Sequence, residues 1–167
     1  QLAYTDVATG LRNRAAYDIS IKELNFRWGK APVGLIIFDV DNLKINNDTL
    51  GHSVGDELIK GVAACINETF RNYEDCFRIG GDEFAVIIKG DGQEVINSHL
   101  KKFESCVVNY NNTHEHKLSV SCGCAISDNC NSQFSNVYDL FNSADMDMYS
   151  NKMGKSERVS AIAPLAE

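Results

Sequence analysis

Two acidic clusters in the sequence carry side chains suited to a divalent metal ion. Asp39 and Asp41 follow an apolar run, and Asp82 and Glu83 follow two glycines. Acidic residues are also common in solvated turns, so turn chemistry explains either cluster taken alone. If the two segments are neighbours in one sheet, their carboxylates converge and offer the oxygen ligands that Mg²⁺ takes together with bound phosphates. Two such ions would support nucleotidyl transfer, because they activate an attacking hydroxyl and neutralise a leaving pyrophosphate.

A polar stretch after the first cluster offers groups for a phosphate and for a base. Asn42, Leu43 and Lys44 follow directly, where backbone amides would cradle phosphates and the lysine would add a positive charge. Asn47 and Asp56 offer a carboxamide and a carboxylate, which match the donors and acceptors on the edge of guanine. The alternative for this pair is structural: Asp56 would cap the helix predicted from about residue 54, and Asn47 would finish a turn.

The hydrophobic pattern predicts the elements that position these groups. A continuous apolar, β-branched run over 33–40 is typical of a strand covered on both faces, and two glycines between strand patterns indicate a hairpin. The predicted order is helix 15–26, strand 33–40, helix 54–66, hairpin strands 76–79 and 83–88, helix 93–110, strand 118–126, helix 137–152 and a short strand 158–162. The hairpin interrupts strict strand–helix alternation. This order favours an α/β protein of the α+β type, with a mixed, mainly antiparallel central sheet flanked by helices.

Length, charge and cysteine spacing limit the classes of protein. The 167 residues, 44% of them hydrophobic, indicate a single globular domain. The net charge of -7 argues against binding to nucleic acid, which needs a basic surface to displace counterions. The longest apolar run, 33–38, is too short to cross a bilayer, so we expect no membrane insertion by this chain. The six cysteines lack the Cys-x-x-Cys spacing of zinc sites, and we expect free buried thiols in a reducing cytoplasm.

Three motifs follow one another along nearly the whole chain. Arg78–Phe84 reads RIGGDEF, Asp6–Arg14 reads DVATGLRNR, and Phe38–Asp48 with Gly51–Asp56 reads FDVDNLKINND and GHSVGD. Together they resemble the signature, the opening segment and the substrate segment of GGDEF domains, the diguanylate cyclases. The resemblance implies one GGDEF domain over residues 1–167, with the palm-like, ferredoxin-like fold of nucleotide cyclases and polymerases. It also implies that two GTP molecules are condensed into cyclic di-GMP, with release of pyrophosphate.

The resemblance also assigns roles to the residues of the site. Asp39, the carbonyl of Val40, Asp82 and Glu83 would hold two Mg²⁺ ions, with Mn²⁺ as an alternative. The implied catalytic residues are Asp82, as proton acceptor, with Glu83 and Lys44. The implied substrate-binding residues are Asn42, Leu43 and Lys44 at the phosphates, Asn47 and Asp56 at guanine, and Lys152 and Lys155 near the C-terminal end. Lys155 would stand in for an arginine of the family, and Asn42 and Leu43 replace its more usual residues and act through their backbone.

Cyclisation of two GTP molecules implies that two domains meet face to face, because one domain supplies half a site. We therefore expect a homodimer and an upstream sensor or regulatory segment, as in a piece of a longer signalling protein. One alternative is a catalytically silent GGDEF-like module that binds GTP or cyclic di-GMP as a receptor, against which the intact Asp39, Asp82 and Glu83 argue. Another is a cyclase of relaxed base choice, which should carry a smaller residue in place of Asp56.

One motif of the family is altered in this chain. Many GGDEF domains carry an inhibitory Arg-x-x-Asp motif before the signature, whereas the matching positions here are Arg71 and Glu74, with Asp75 one residue late. Glutamate keeps the charge and adds a methylene, which predicts a weakened site for the product. The alternative is an ordinary charged loop between a helix and a strand.

Overall fold

The computed structural model describes residues 2–73, 75–128 and 133–162. Within these ranges four strands form one antiparallel sheet in the order β2-β3-β1-β4, with helices on both faces. The elements are a 3₁₀ turn (Leu2–Tyr4), α1 (Arg14–Phe26), β1 (Val33–Val40), α2 (Leu43–Leu50), α3 (His52–Thr69), β2 (Cys76–Arg78), β3 (Glu83–Lys89), α4 (Gln93–Thr113), β4 (Val120–Ser127) and α5 (Val137–Ile162). The α+β class, with helices on an antiparallel sheet, is confirmed.

Strand β1 lies inside the sheet because both of its faces are apolar. All eight of its residues are buried. Ile36 and Phe38 face the core shared with α3 and α4, whereas Leu35 and Ile37 face the core shared with α1 and α5. The alternation follows from the two-residue period of a strand. The expectation of a strand covered on both faces is therefore confirmed.

Two parts of the predicted element order need correction. The polar stretch after β1 forms α2; none of its eight residues, all described, is buried, so it lacks the apolar stripe that marks a helix in sequence. The strand predicted at 158–162 is wrong, because α5 continues through these residues to Ile162. Adding residues to an existing helix requires no new nucleation, and five residues are too few for their alternation to decide between helix and strand.

Two sequence expectations concern the membrane and the thiols. None of the described helices combines the length and apolarity that a membrane-spanning helix needs. Among the described cysteines, Cys65 and Cys76 are free and buried, and the thiols of Cys106, Cys122 and Cys124 are free and half-buried. Cys130 lies outside the described residues.

Candidate functional site

The two acidic clusters meet because β1 pairs with β3. In this antiparallel register Asp39 lies directly opposite Glu83. The pairing continues one residue before the start of β3, where the amide of Val40 donates a 2.9 Å hydrogen bond to the carbonyl of Asp82. The predicted hairpin thus lies beside the central strand, and its tip brings Asp82 and Glu83 to the end of β1.

Asp39 is a buried carboxylate at the end of β1, with 7% of its surface exposed. Lys152 of α5 donates to its Oδ1 at 2.5 Å. Burial raises the pKa of Asp39; the bond from Lys152 opposes this rise, and the charges of Asp82 and Asp41 add to it. The site therefore concentrates negative charge that a nearby cation stabilises.

Glu83 belongs to the same concentration of charge. Burial raises its pKa, and the negative charges of Asp82, Asp39 and Asp145 raise it further. Its side chain lies against Gly80, where an added Cβ would come within 2.6 Å of Oε2 of Glu83. A side chain at the first glycine of the signature would therefore displace the carboxylate of Glu83. Asp145 of α5 is a member of the group that sequence reasoning did not single out.

Asp41 belongs to the first cluster but has a different environment. The hydroxyls of Ser119 and Ser121 each donate to it at 2.7 Å, and Lys155 donates at 3.3 Å. Burial alone would raise its pKa, but these bonds outweigh it and lower the pKa. Both carboxylate oxygens of Asp41 therefore accept hydrogen bonds from residues at the start of β4 and in α5. A Ser-x-Ser pattern entering β4 was the available signal for these partners.

The oxygen atoms of the site are the type of ligand that a divalent cation binds. Carboxylate and carbonyl oxygens are the ligands that Mg²⁺ and Mn²⁺ take. Among the described residues, however, no three His, Cys, Asp or Glu side chains already converge as a metal-binding cluster. Instead, the ion pair between Lys152 and Asp39 places a positive charge at a buried carboxylate of the site. Two observations therefore support a divalent cation at this site: the type of ligand atom, and the mutual repulsion of the carboxylates, which a cation would relieve.

The turn after β1 leaves the first amides of α2 available. Asn42 adopts the left-handed conformation, with φ 58° and ψ 23°, and within the described chain its side chain makes no capping hydrogen bond to α2. Asparagine tolerates this conformation better than most residues. The first N–H groups of a helix have no intrahelical partner, so they form a natural anion site. Leu43 packs partly against the core, while Lys44 is exposed.

The two candidate guanine-binding residues, Asn47 and Asp56, lie close together because Asn47 packs against Gly55. An added Cβ at Gly55 would lie 1.8 Å from Oδ1 of Asn47, so the carboxamide rests on the residue next to Asp56. This Oδ1 is buried and has no hydrogen-bond partner among the described residues. Helix α3 begins at His52, which places Asp56 in its second turn with an exposed side chain. The structural alternative, in which Asp56 caps the helix, is therefore wrong.

Arg78 supports the tip of the hairpin. Its guanidinium donates to the carbonyls of Gly80 at 3.2 Å and Gly81 at 2.7 Å, and to Oδ1 of Asp6 at 3.3 Å. Burial opposes ionisation of Asp6, but the hydrogen bonds from Thr9 and Arg78 outweigh it and lower the pKa of Asp6. The opening segment and the signature motif are thus one structural unit. The sequence motifs alone do not predict this contact.

The altered inhibitory motif precedes β2 in the chain. Arg71 is exposed, and Glu74 lies outside the described residues. Asp75 forms ion pairs with Arg12, at 2.5 Å, and with Lys89. Asp75 is therefore occupied within the fold and is not free to replace Glu74 in a site for the product.

The chain is similar to several known proteins. The family described as "Diguanylate cyclase, GGDEF domain" matches residues 3–158. The diguanylate cyclase DgcS of Shewanella oneidensis is 35% identical over an alignment of 156 residues, which covers 90% of this chain and 50% of the relative. The crystal structure of the GGDEF domain of DgcB from Caulobacter crescentus, in complex with c-di-GMP, is 30% identical with a TM-score of 0.72 and covers 91% of each chain.

A third comparison concerns the fold alone. The diguanylate cyclase SiaD from Pseudomonas aeruginosa, in complex with its activator SiaC, is 24% identical with a TM-score of 0.75, over 91% of this chain and 59% of that one. The curated relatives are longer proteins: this chain spans 50% of DgcS and 43% of the probable diguanylate cyclase DgcC of Escherichia coli.

Proposed function

The chain belongs to the GGDEF domain family of diguanylate cyclases, and on that premise we propose that it condenses two GTP molecules into cyclic di-GMP and releases pyrophosphate. The observation that carries the proposal is the pairing of β1 with β3, which sets Asp39 opposite Glu83 and joins the backbone of Val40 to that of Asp82. The silent-receptor alternative has no comparable support, because Asp39, Asp82 and Glu83 are all present.

GGDEF cyclases generally use a divalent metal, and the oxygens present fit one. Asp39, the carbonyl of Val40, Asp82 and Glu83 would hold two Mg²⁺ or Mn²⁺ ions. When bound, the ions would polarise the α-phosphate and neutralise the leaving pyrophosphate. Asp82 would accept the proton of the attacking 3′-hydroxyl, since the hairpin tip holds it beside the end of β1.

The remaining residues would bind and orient the nucleotide. The backbone amides of Asn42, Leu43 and Lys44, with the ammonium of Lys44, would hold the phosphates. Lys152 and Lys155 would add positive charge from α5. Asn47 and Asp56 would read the edge of guanine, with the carboxylate accepting from its N–H donors.

Each domain would offer the 3′-hydroxyl of its own GTP to the α-phosphate of the other. The proposal therefore includes a homodimer in which two sites face each other, and control by an upstream sensor or regulatory segment of a longer protein. Binding of the product cyclic di-GMP is also part of it, as the DgcB complex is a structure of a related domain with that ligand. A cytoplasmic location, where thiols stay reduced, agrees with this chemistry.

The test is turnover of GTP by a concentrated sample of the chain with Mg²⁺, followed by chromatography of the products. We expect cyclic di-GMP from the wild type, and a loss of about 100-fold or more for Asp82→Ala, since a positioned proton acceptor contributes on that order. Glu94→Ala, an exposed acid at the start of α4, is the matched control. Undiminished turnover by Asp82→Ala would contradict its role, while GTP binding without product in the wild type would favour the silent receptor.

A further inference from the structure

Three side chains of α5 follow the outer edge of β4 at four-residue intervals. Asp147 accepts from the amide of Cys124 at 2.9 Å, Asn151 donates to the carbonyl of Cys122 at 2.8 Å, and Lys155 donates to the next outward carbonyl, that of residue 120. Strand β4 is the last of the four described strands in the sheet, so none of the other three lies beside its outer backbone groups. Four helical residues rise about 6 Å and two strand residues about 6.6 Å, which keeps the two series in step. We call these three residues the edge ladder.

The distance between α5 and the sheet is set by Gly123. A Cβ added there would lie 2.0 Å from the amide nitrogen of Met148 and 2.4 Å from the carbonyl of Ala144. Ala144 and Met148 are themselves buried against the sheet. The helix backbone therefore rests directly on β4, and the edge ladder determines which turn of α5 meets which residue of the strand.

This register decides where Lys152 points. Lys152 follows Asn151 by one residue and reaches Oδ1 of Asp39 at 2.5 Å, across the same face of the sheet. A slip of one residue would rotate every side chain of α5 by about 100° and remove the ammonium from the site. We infer that Asp147 and Asn151 are positioning residues, which hold Lys152 beside Asp39 by fixing the register of α5 on the edge of β4. The consequence for catalysis rests on the proposed function; the geometric claim does not.

Protection of a sheet edge is the competing explanation for the edge ladder. Polar side chains along a free edge discourage pairing with another chain. Any polar side chains along the edge would provide this protection, and it would not depend on the position of Lys152. The two explanations therefore differ in whether substitution of one edge-ladder residue changes the contact of Lys152 with Asp39.

A zero-length carbodiimide cross-link between Lys152 and Asp39, quantified by mass spectrometry, measures their contact without any nucleotide. Asn151→Asp sets a carboxylate against the carbonyl of Cys122, and we expect it to lower the cross-link yield about tenfold, the order of one lost hydrogen bond with an opposed acceptor. Asp147→Ala should act in the same direction. The control Asn142→Asp makes the same chemical change at an exposed position of α5 and should leave the yield unchanged. An undiminished yield in both edge-ladder variants would overturn the inference.

A binding measurement separates this inference from the proposed function. The probe is 3′-deoxy-GTP with Mg²⁺, which lacks the attacking hydroxyl. We expect Asn151→Asp to weaken its binding about tenfold, and to have no further effect when Lys152→Met is already present, since the two changes remove one interaction. Equal losses in both backgrounds would mean that Asn151 acts without Lys152 and would refute the inference. A wild type that binds the probe with this coupling but forms no cyclic di-GMP would instead contradict the proposed function alone.

Discussion

Gly55→Ala is a substitution for which the structure predicts a loss of function with little change in stability. The new Cβ would lie 1.8 Å from Oδ1 and 2.8 Å from Cγ of Asn47, so the carboxamide has to rotate away. Alanine is favoured over glycine inside a helix by about 1 kcal/mol, and an altered rotamer costs on the order of 0.5–1.5 kcal/mol. Because Oδ1 has no partner among the described residues, its movement breaks no hydrogen bond there. The free energy of unfolding should therefore stay within about 1 kcal/mol of the wild type.

The functional loss follows from the displaced carboxamide. If Asn47 reads guanine, its hydrogen bond contributes about 0.5–1.5 kcal/mol, which corresponds to a rise in the KM for GTP of roughly 2- to 12-fold. Thermal unfolding and steady-state cyclase kinetics on the same samples measure the two effects. Gly61→Ala is the matched control, since the same change in α3 meets the ring of Tyr110 at 2.8 Å, away from Asn47. It should alter stability and leave the KM unchanged.

Two results would refute this reasoning. One is an unchanged KM in Gly55→Ala, which would mean that Asn47 does not contribute to binding of the base in its observed position. The other is a further rise in KM when Gly55→Ala is added to Asn47→Ala. In that case the methyl group would act on something other than the carboxamide.

Three further outcomes are expected. Asp56→Ser should broaden the accepted base, because guanine donors lose their acceptor; competition between GTP and ATP measures it, and strict selection of GTP would contradict it. Asp6→Asn should lower the thermal midpoint near neutral pH. Although burial opposes it, the hydrogen bonds from Thr9 and Arg78 lower the pKa of Asp6 in the folded protein. The stability that ionised Asp6 contributes is therefore present above its unfolded pKa and is lost as the pH falls through its folded pKa. The difference in thermal midpoint between the wild type and Asp6→Asn should shrink in acid. Added cyclic di-GMP should inhibit weakly, and Arg71→Ala should leave that inhibition unchanged, because Asp75 is held within the fold; strong inhibition relieved by the substitution would contradict it.

Local patterns were enough to predict the strands that carry the acidic clusters. A buried run of β-branched residues identifies β1, and two glycines between strand patterns identify the β2–β3 hairpin. Helix α2 was not predicted, because its eight residues, all described, present no buried stripe. The strand expected at 158–162 failed for a related reason: a short alternating segment has no signal strong enough to outweigh continuation of the helix before it.

No local pattern pairs the acidic residues with their partners, because the partners come from far along the chain. Lys152 lies 113 residues after Asp39, and Ser121 lies 80 residues after Asp41. Motif similarity identifies Lys152 as functional but does not say what it contacts. Its contact depends on Gly123, whose missing side chain lets α5 touch the sheet. A single methyl group at that glycine would move the helix and its lysine together, so the charge balance of the site depends on backbone packing that no local pattern encodes.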